Sequence, residues 1–171
     1  MKQHWQQIGL FLLVIGLLII GAAKGFAPTN FGNSQTQIQP QTRPVPQEKN
    51  LVKIGSLAVK VDYAKDDASK SKGLGGKDKL EEDRGLLFVF DKEQKYTFWM
   101  KGVSFPIDII WISKDKQVVD FYKNAEAQLG VPDSELKVYS PQAPAQYVLE
   151  VSAGLCEKYN IKVGDQTDFE I

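Results

Sequence analysis

Residues 51–171 predict an α+β domain, predominantly antiparallel β and barrel-like, with about six or seven strands and one or two short helices. One N-terminal transmembrane helix is expected ahead of it. Three observations carry this reading. Short segments of alternating apolar and polar residues recur along the domain, joined mostly by short polar turns, which is the pattern of half-buried strands in hairpins. Only two short stretches carry helix-capping residues. The chain opens with an uncharged run, residues 8–23, made mostly of Leu, Ile, Val and Gly.

That run is slightly short for a span, which needs about 20 residues. It extends to 27 if Lys24 snorkels to the interface. The seven residues before it carry Lys2. Positive charge on the cytoplasmic side then places the C-terminal part outside the cytoplasm, as a single-pass protein of the cell membrane. The alternative is a signal peptide cut near Gly21-Ala22-Ala23, giving a secreted domain. Residues 28–50 hold Pro28, Pro40, Pro44 and Pro46 among glutamines and few large apolar side chains. Such a segment buries too little surface to offset its ordering entropy, and reads as a linker.

In the domain, Leu57, Val59, Val61 and Tyr63 alternate with Ala58, Lys60 and Asp62, giving a first strand. Residues 66–74 suit a short helix, capped by Asp66 or Asp67 and stopped at Gly73. Residues 85–90 form a nearly continuous apolar run, expected to be a strand covered on both faces. After a turn at 91–94, residues 95–101 predict a third strand and 107–113 a fourth. On the fourth, Ile107, Ile109 and Trp111 share one face, and Asp108, Ile110 and Ile112 the other. Lys114-Asp115-Lys116 is a hairpin turn into a fifth strand at 118–122. Residues 124–142 form a long loop with Gly130, Pro132 and Pro141, and loops of that length are usually functional or disordered. Residues 147–151 form a strand, Ser152 caps a short helix reaching Tyr159, and 167–171 form the last strand.

Residues 51–171 carry 17 Lys and Arg against 20 Asp and Glu. A mildly acidic domain without a basic stripe argues against nucleic-acid binding. Cys156 is the sole cysteine and His4, ahead of the apolar run, the sole histidine. That excludes an intramolecular disulfide, Ser-His-Asp and Cys-His mechanisms, and histidine-based zinc sites within the domain. Phosphate-binding glycine motifs and calcium loops are missing as well. No metal or cofactor is expected.

The chemistry concentrates at residues 97–112, where Trp99, Trp111, Lys101 and Asp108 sit among apolar residues. A charge inside an apolar strand must be solvated, paired or functional. Lys101 and Asp108 lie on successive strands, so they can face each other as a structural ion pair. Alternatively they form the polar floor of a ligand pocket with Trp99 as its flat wall, suited to a sugar or other small polar ligand or an envelope component. Pro144 and Tyr147 follow the long loop and are placed at the pocket mouth. A catalytic alternative uses Asp108 with Lys101, or with Glu150 as a glycosidase-like carboxylate pair acting on cell-envelope carbohydrate. Strand alternation places Glu150 toward solvent. A third possibility is an interaction module whose Trp99, Lys101 and Asp108 only hold the fold.

In order along the chain stand Lys72-Gly73-Leu74, Gly85-Leu86-Leu87-Phe88-Val89-Phe90, Phe98-Trp99-Met100-Lys101, Pro106-Ile107-Asp108-Ile109, Ala143-Pro144-Ala145, Tyr147-Val148-Leu149-Glu150-Val151 and Ile161-Lys162-Val163-Gly164-Asp165. This set resembles the domain of unknown function 192 family, small bacterial and archaeal domains that are often exported. The resemblance implies a fold and a site region but no reaction. The family usually has Arg-Gly-Leu-Met where this chain has Lys72-Gly73-Leu74-Gly75, and often an asparagine where this chain has Gly102.

Overall fold

The computed structural model describes residues 49–171; the expected span at 8–27, the tail before it and all but the last two residues of the linker lie outside them. Among the described residues no helix is long and apolar enough to cross a membrane. The elements run β1 (Leu51–Ile54), β2 (Leu57–Ala64), α1 (Asp67–Lys72), β3 (Arg84–Gln94), β4 (Phe98–Trp99), β5 (Ile107–Ile112), β6 (Val118–Ala125), β7 (Val138–Tyr139), β8 (Ala145–Ser152), α2 (Leu155–Lys158) and β9 (Thr167–Asp168).

Seven strands form one sheet in the order β6-β5-β8-β3-β2-β1-β9, and β4 pairs with β7 in a separate ribbon. All pairings are antiparallel except β2 with β3, which are parallel from Lys60↔Arg84 to Ala64↔Phe88. A parallel pair needs a crossover, and α1 with the loop after it supplies one. The two ends of the sheet meet. Gln117, just before β6, bridges to Gln166, just before β9. Thr167 N–H donates to the Lys116 carbonyl at 2.7 Å and Val118 N–H to that of Asp165 at 2.9 Å. The result is a barrel-like half-barrel, as the strand pattern predicts.

Each face of the sheet carries a core. One gathers Val59, Leu87, Ile110, Leu149 and Val151 with Leu155 and Cys156 of α2. The other gathers Leu86, Phe88, Ile107, Ile109, Trp111 and Val148 beneath Leu74, Met100 and Val103. All six residues of β5 are therefore buried, and they divide between the two cores as period-two alternation requires. The helix start also follows local chemistry. Asp66 accepts from Ser69 N–H at 2.8 Å while Ser69 Oγ accepts from Asp66 N–H at 3.2 Å, a reciprocal capping box.

Four expectations are corrected. Residues 51–54 form β1, a strand absent from the sequence reading. Residues 91–94 continue β3 after a register shift rather than turning. The strand expected at 95–101 shrinks to Phe98–Trp99 and stays out of the main sheet, because β8 occupies the position between β3 and β5 and uses both of its edges. Its partner β7 comes from the long loop 124–142. The last helix is preceded by Gly154 at φ 89, not by a Ser152 cap, since Ser152 Oγ donates instead to the Leu80 carbonyl at 2.6 Å.

Candidate functional site

A pocket of about 280 Å³ opens where α1 and the β4 ribbon cover the sheet. Its volume is just below the roughly 300–1,000 Å³ usual for small-molecule sites. Phe88 and Phe90 of β3, Tyr96, Phe98 and Trp99, and Leu74 and Val103 supply its walls. The rings brace one another. Phe98 stands edge-on to Phe88 at 4.8 Å and to Trp111 at 6.1 Å, and Phe90 stacks on Tyr96 at 3.6 Å between centroids. Lys70, Lys72 and Lys101 also line the pocket. Lys70 Nζ lies 4.9 Å from the Phe90 ring centroid, a cation–π contact.

Two glycines turn the backbone at positive φ, Gly73 within the pocket lining and Gly102 between the lining residues Lys101 and Val103. Gly73 turns the chain off α1 at φ +50, and a Cβ there would lie 3.5 Å from the Phe88 ring. Gly102 has φ +70, and its carbonyl accepts from Gly76 N–H at 3.1 Å. Left-handed backbone suits glycine and, next best, asparagine. That accounts for Gly102 standing where the family resemblance leads one to expect asparagine.

Glu150 also lines the pocket, although only 4 % of it is exposed. The alternation argument places it toward solvent; the structure overturns that, because β8 is central and both of its faces are covered. Across the ladder Glu150 stands opposite Leu86 on one side and Ile109 on the other. Its Oε2 has no hydrogen-bond partner among the described residues. Burial pushes its carboxyl up to about 8, so Glu150 is mostly protonated at neutral pH.

The five residues singled out in the sequence do not converge. Trp99, 54 % exposed, and Lys101 line the pocket. Asp108 is fully buried on the opposite face of the sheet, opposite Val151. Its Oδ1 accepts from Asn124 N–H at 2.8 Å and its Oδ2 from Cys156 N–H at 2.7 Å. Asp108 thus ties the end of β6 to α2 and faces neither Lys101 nor Glu150. Burial, with Asp108 beside it, pushes the Cys156 thiol well up, which leaves it un-ionised and inert. Tyr147 packs edge-on to Phe169 at 5.1 Å, in the core of the far face, and Pro144 is exposed outside the pocket lining.

Lys101 pairs instead with Asp133, Nζ to Oδ2 at 2.5 Å, with both side chains more than half exposed. Exposed pairs contribute little. Asp133→Asn is expected to change stability by less than about 1 kcal/mol in urea unfolding; a larger loss would show that the pair organises the pocket rim.

Sequence reasoning did not place Lys70, Lys72, Phe88, Phe90, Tyr96 or Phe98 in a pocket. A carboxylate at position 150 between apolar neighbours was the one available signal for the pocket floor.

The family model described as "Uncharacterized ACR", DUF192, matches residues 50–169, and the chain belongs to that family. A UPF0127 protein of Thermococcus kodakarensis is 30% identical over 88 residues, 48% of this chain and 48% of its own, so the match spans about half of that relative. Two crystal structures share the fold. A protein of unknown function from Novosphingobium aromaticivorans has 27% identity and a TM-score of 0.61, covering 70% of this chain and 84% of its own. A Sinorhizobium meliloti protein, named as a candidate transcription regulator, has 27% identity and a TM-score of 0.60, covering 69% and 89%.

Proposed function

We propose that this member of the domain of unknown function 192 family is a small-molecule binding module, tethered to the membrane through residues 8–27 and presented outside the cytoplasm. The single observation that carries the binding reading is the buried carboxyl of Glu150, unpartnered at Oε2, in an aromatic-lined pocket. A buried polar group without a partner costs about 1–3 kcal/mol, and a ligand that supplies the missing hydrogen bond recovers it. The pocket has the general form of a ligand site, aromatic and aliphatic walls with polar side chains from α1, Thr97, Lys101 and Glu150 among them. The tether rests on the uncharged run and on Lys2 before it. A pair of catalytic groups at Asp108 gains no support from the geometry, since Asp108 and Glu150 occupy opposite faces of the sheet.

The test is an NMR screen of the full chain against a library of single-ring compounds. Hits are expected to shift the Trp99 indole resonance. Glu150→Leu is expected to weaken them by about tenfold, the value of one lost hydrogen bond, while Tyr147→Phe leaves them unchanged. A blank screen, or hits that bypass Trp99 and ignore Glu150→Leu, would sink the reading.

A further inference from the structure

Resting on the small-molecule reading, we infer that the ligand class is a small amphipathic anion. An apolar, ring-sized body lies against Phe88 and Phe98, one hydrogen-bonding group at its deep end meets Glu150, and a carboxylate or phosphate lies among Lys70, Lys72 and Lys101.

Each part follows from a different feature of the pocket. The body must be apolar because the walls are aromatic and aliphatic, with Leu74, Phe88 and Val103 all buried. At the deep end, beside Leu74, Phe88 and Val103, Glu150 is the one buried polar side chain of the lining, so a sugar ring seated there would bring more hydroxyls than that end can partner. The deep group must be one that a neutral carboxyl can serve, as donor or acceptor, such as a hydroxyl or a carbonyl. The anion follows from the charge of the lining. It contains three lysines and, apart from the uncharged Glu150, no carboxylate. Among the described residues only Lys101 of the three has an acidic partner, Asp133, which is outside the lining. A cationic ligand would have to pass these lysines and would be stabilised at the floor only by ionising Glu150 in its apolar surroundings. An anion meets complementary charge at the rim, where carboxylate and phosphate share the same chemistry.

The experiment compares matched probes on the full chain by calorimetry: 4-hydroxyphenylacetate, phenylacetate, p-cresol, tyramine and 4-hydroxybenzyl phosphate. The two hydroxylated anions are expected to bind at least about fivefold more tightly than p-cresol at low salt, and tyramine most weakly. The gap should close as salt is raised to about 0.5 M, where charges at the rim are screened. Lys70→Gln with Lys72→Gln should weaken both hydroxylated anions by a larger factor than p-cresol, closing most of the gap between them; an equal loss for all three would overturn the anion. Phenylacetate should bind more weakly than its hydroxylated partner, and Glu150→Leu should erase that difference. Whichever of the two anions is preferred identifies carboxylate or phosphate as the group the rim holds.

Equal or tighter binding of p-cresol or tyramine would overturn the anion while leaving the small-molecule reading in place. Failure of all five probes overturns the inference; the small-molecule reading falls with it only if the broader single-ring screen is also blank.

Discussion

Glu150→Gln is expected to stabilise the folded chain by a few kcal/mol at pH 8 and to leave it little changed at pH 4. The carboxyl titrates near 4.5 when the chain is unfolded and near 8 when it is folded. Between these values the unfolded state releases a proton that the folded state keeps. Stability is therefore greatest below about pH 4.5, falls by about 1.4 kcal/mol per pH unit up to about 8, and is flat above it, as far as this group is concerned. Glutamine has the same shape and no proton to lose, so the slope vanishes. Urea unfolding of both proteins from pH 4 to 9 isolates the effect, because every other titrating group is common to the two and cancels in the difference. Parallel curves would mean that water reaches the carboxyl through the pocket and that it ionises as it does in solution. A ligand accepting a hydrogen bond from Glu150 should lose affinity above about pH 8 for the same reason.

Asp108→Ala is expected to cost about 3–5 kcal/mol, with a fall in Tm of roughly 10 °C or more. Hydrogen bonds to a charged group are worth about 1.5–3 kcal/mol each, and Asp108 accepts two, from Asn124 and Cys156. Alanine removes both and strands the Cys156 N–H in a buried site. Asn124 holds φ 53, a left-handed conformation that asparagine tolerates, and its N–H there is held by Asp108. The folded fraction should still bind ligand with unchanged affinity, because Asp108 lies on the far side of the sheet from the pocket. A stable Asp108→Ala protein that loses binding would return Asp108 to the site.

Local chemistry made much of the fold legible. The alternation at 57–63 and 107–112 places the right residues on the right faces, since side chains of any strand alternate whatever its neighbours. The Asp66 cap is legible because its partner Ser69 is three residues away. The site was legible only at Trp99 and Lys101. Lys101 and Asp108 are close in sequence and look like a pair, yet the chain turns at Gly102 and sends them to different surroundings. Glu150 was read as facing solvent because alternation separates two faces without saying whether either is wet. Lys70 and Lys72 sit on a helix that reads as solvated, and nothing local shows that it covers a sheet.

By itself the sequence determined the family, most of the longer strands and both short helices, the alternation of faces along those strands, and the absence of any histidine chemistry from residues 51–171. All of these depend on residue identity or on contacts within a few positions. Only the tertiary structure decided that β8 is inserted between β3 and β5, that the β4 ribbon is excluded from the main sheet, and that Glu150 becomes a buried acid at the pocket. Those outcomes depend on which strands compete for a limited number of hydrogen-bonding edges. That competition is settled between segments tens of residues apart, where short-range pattern carries no information.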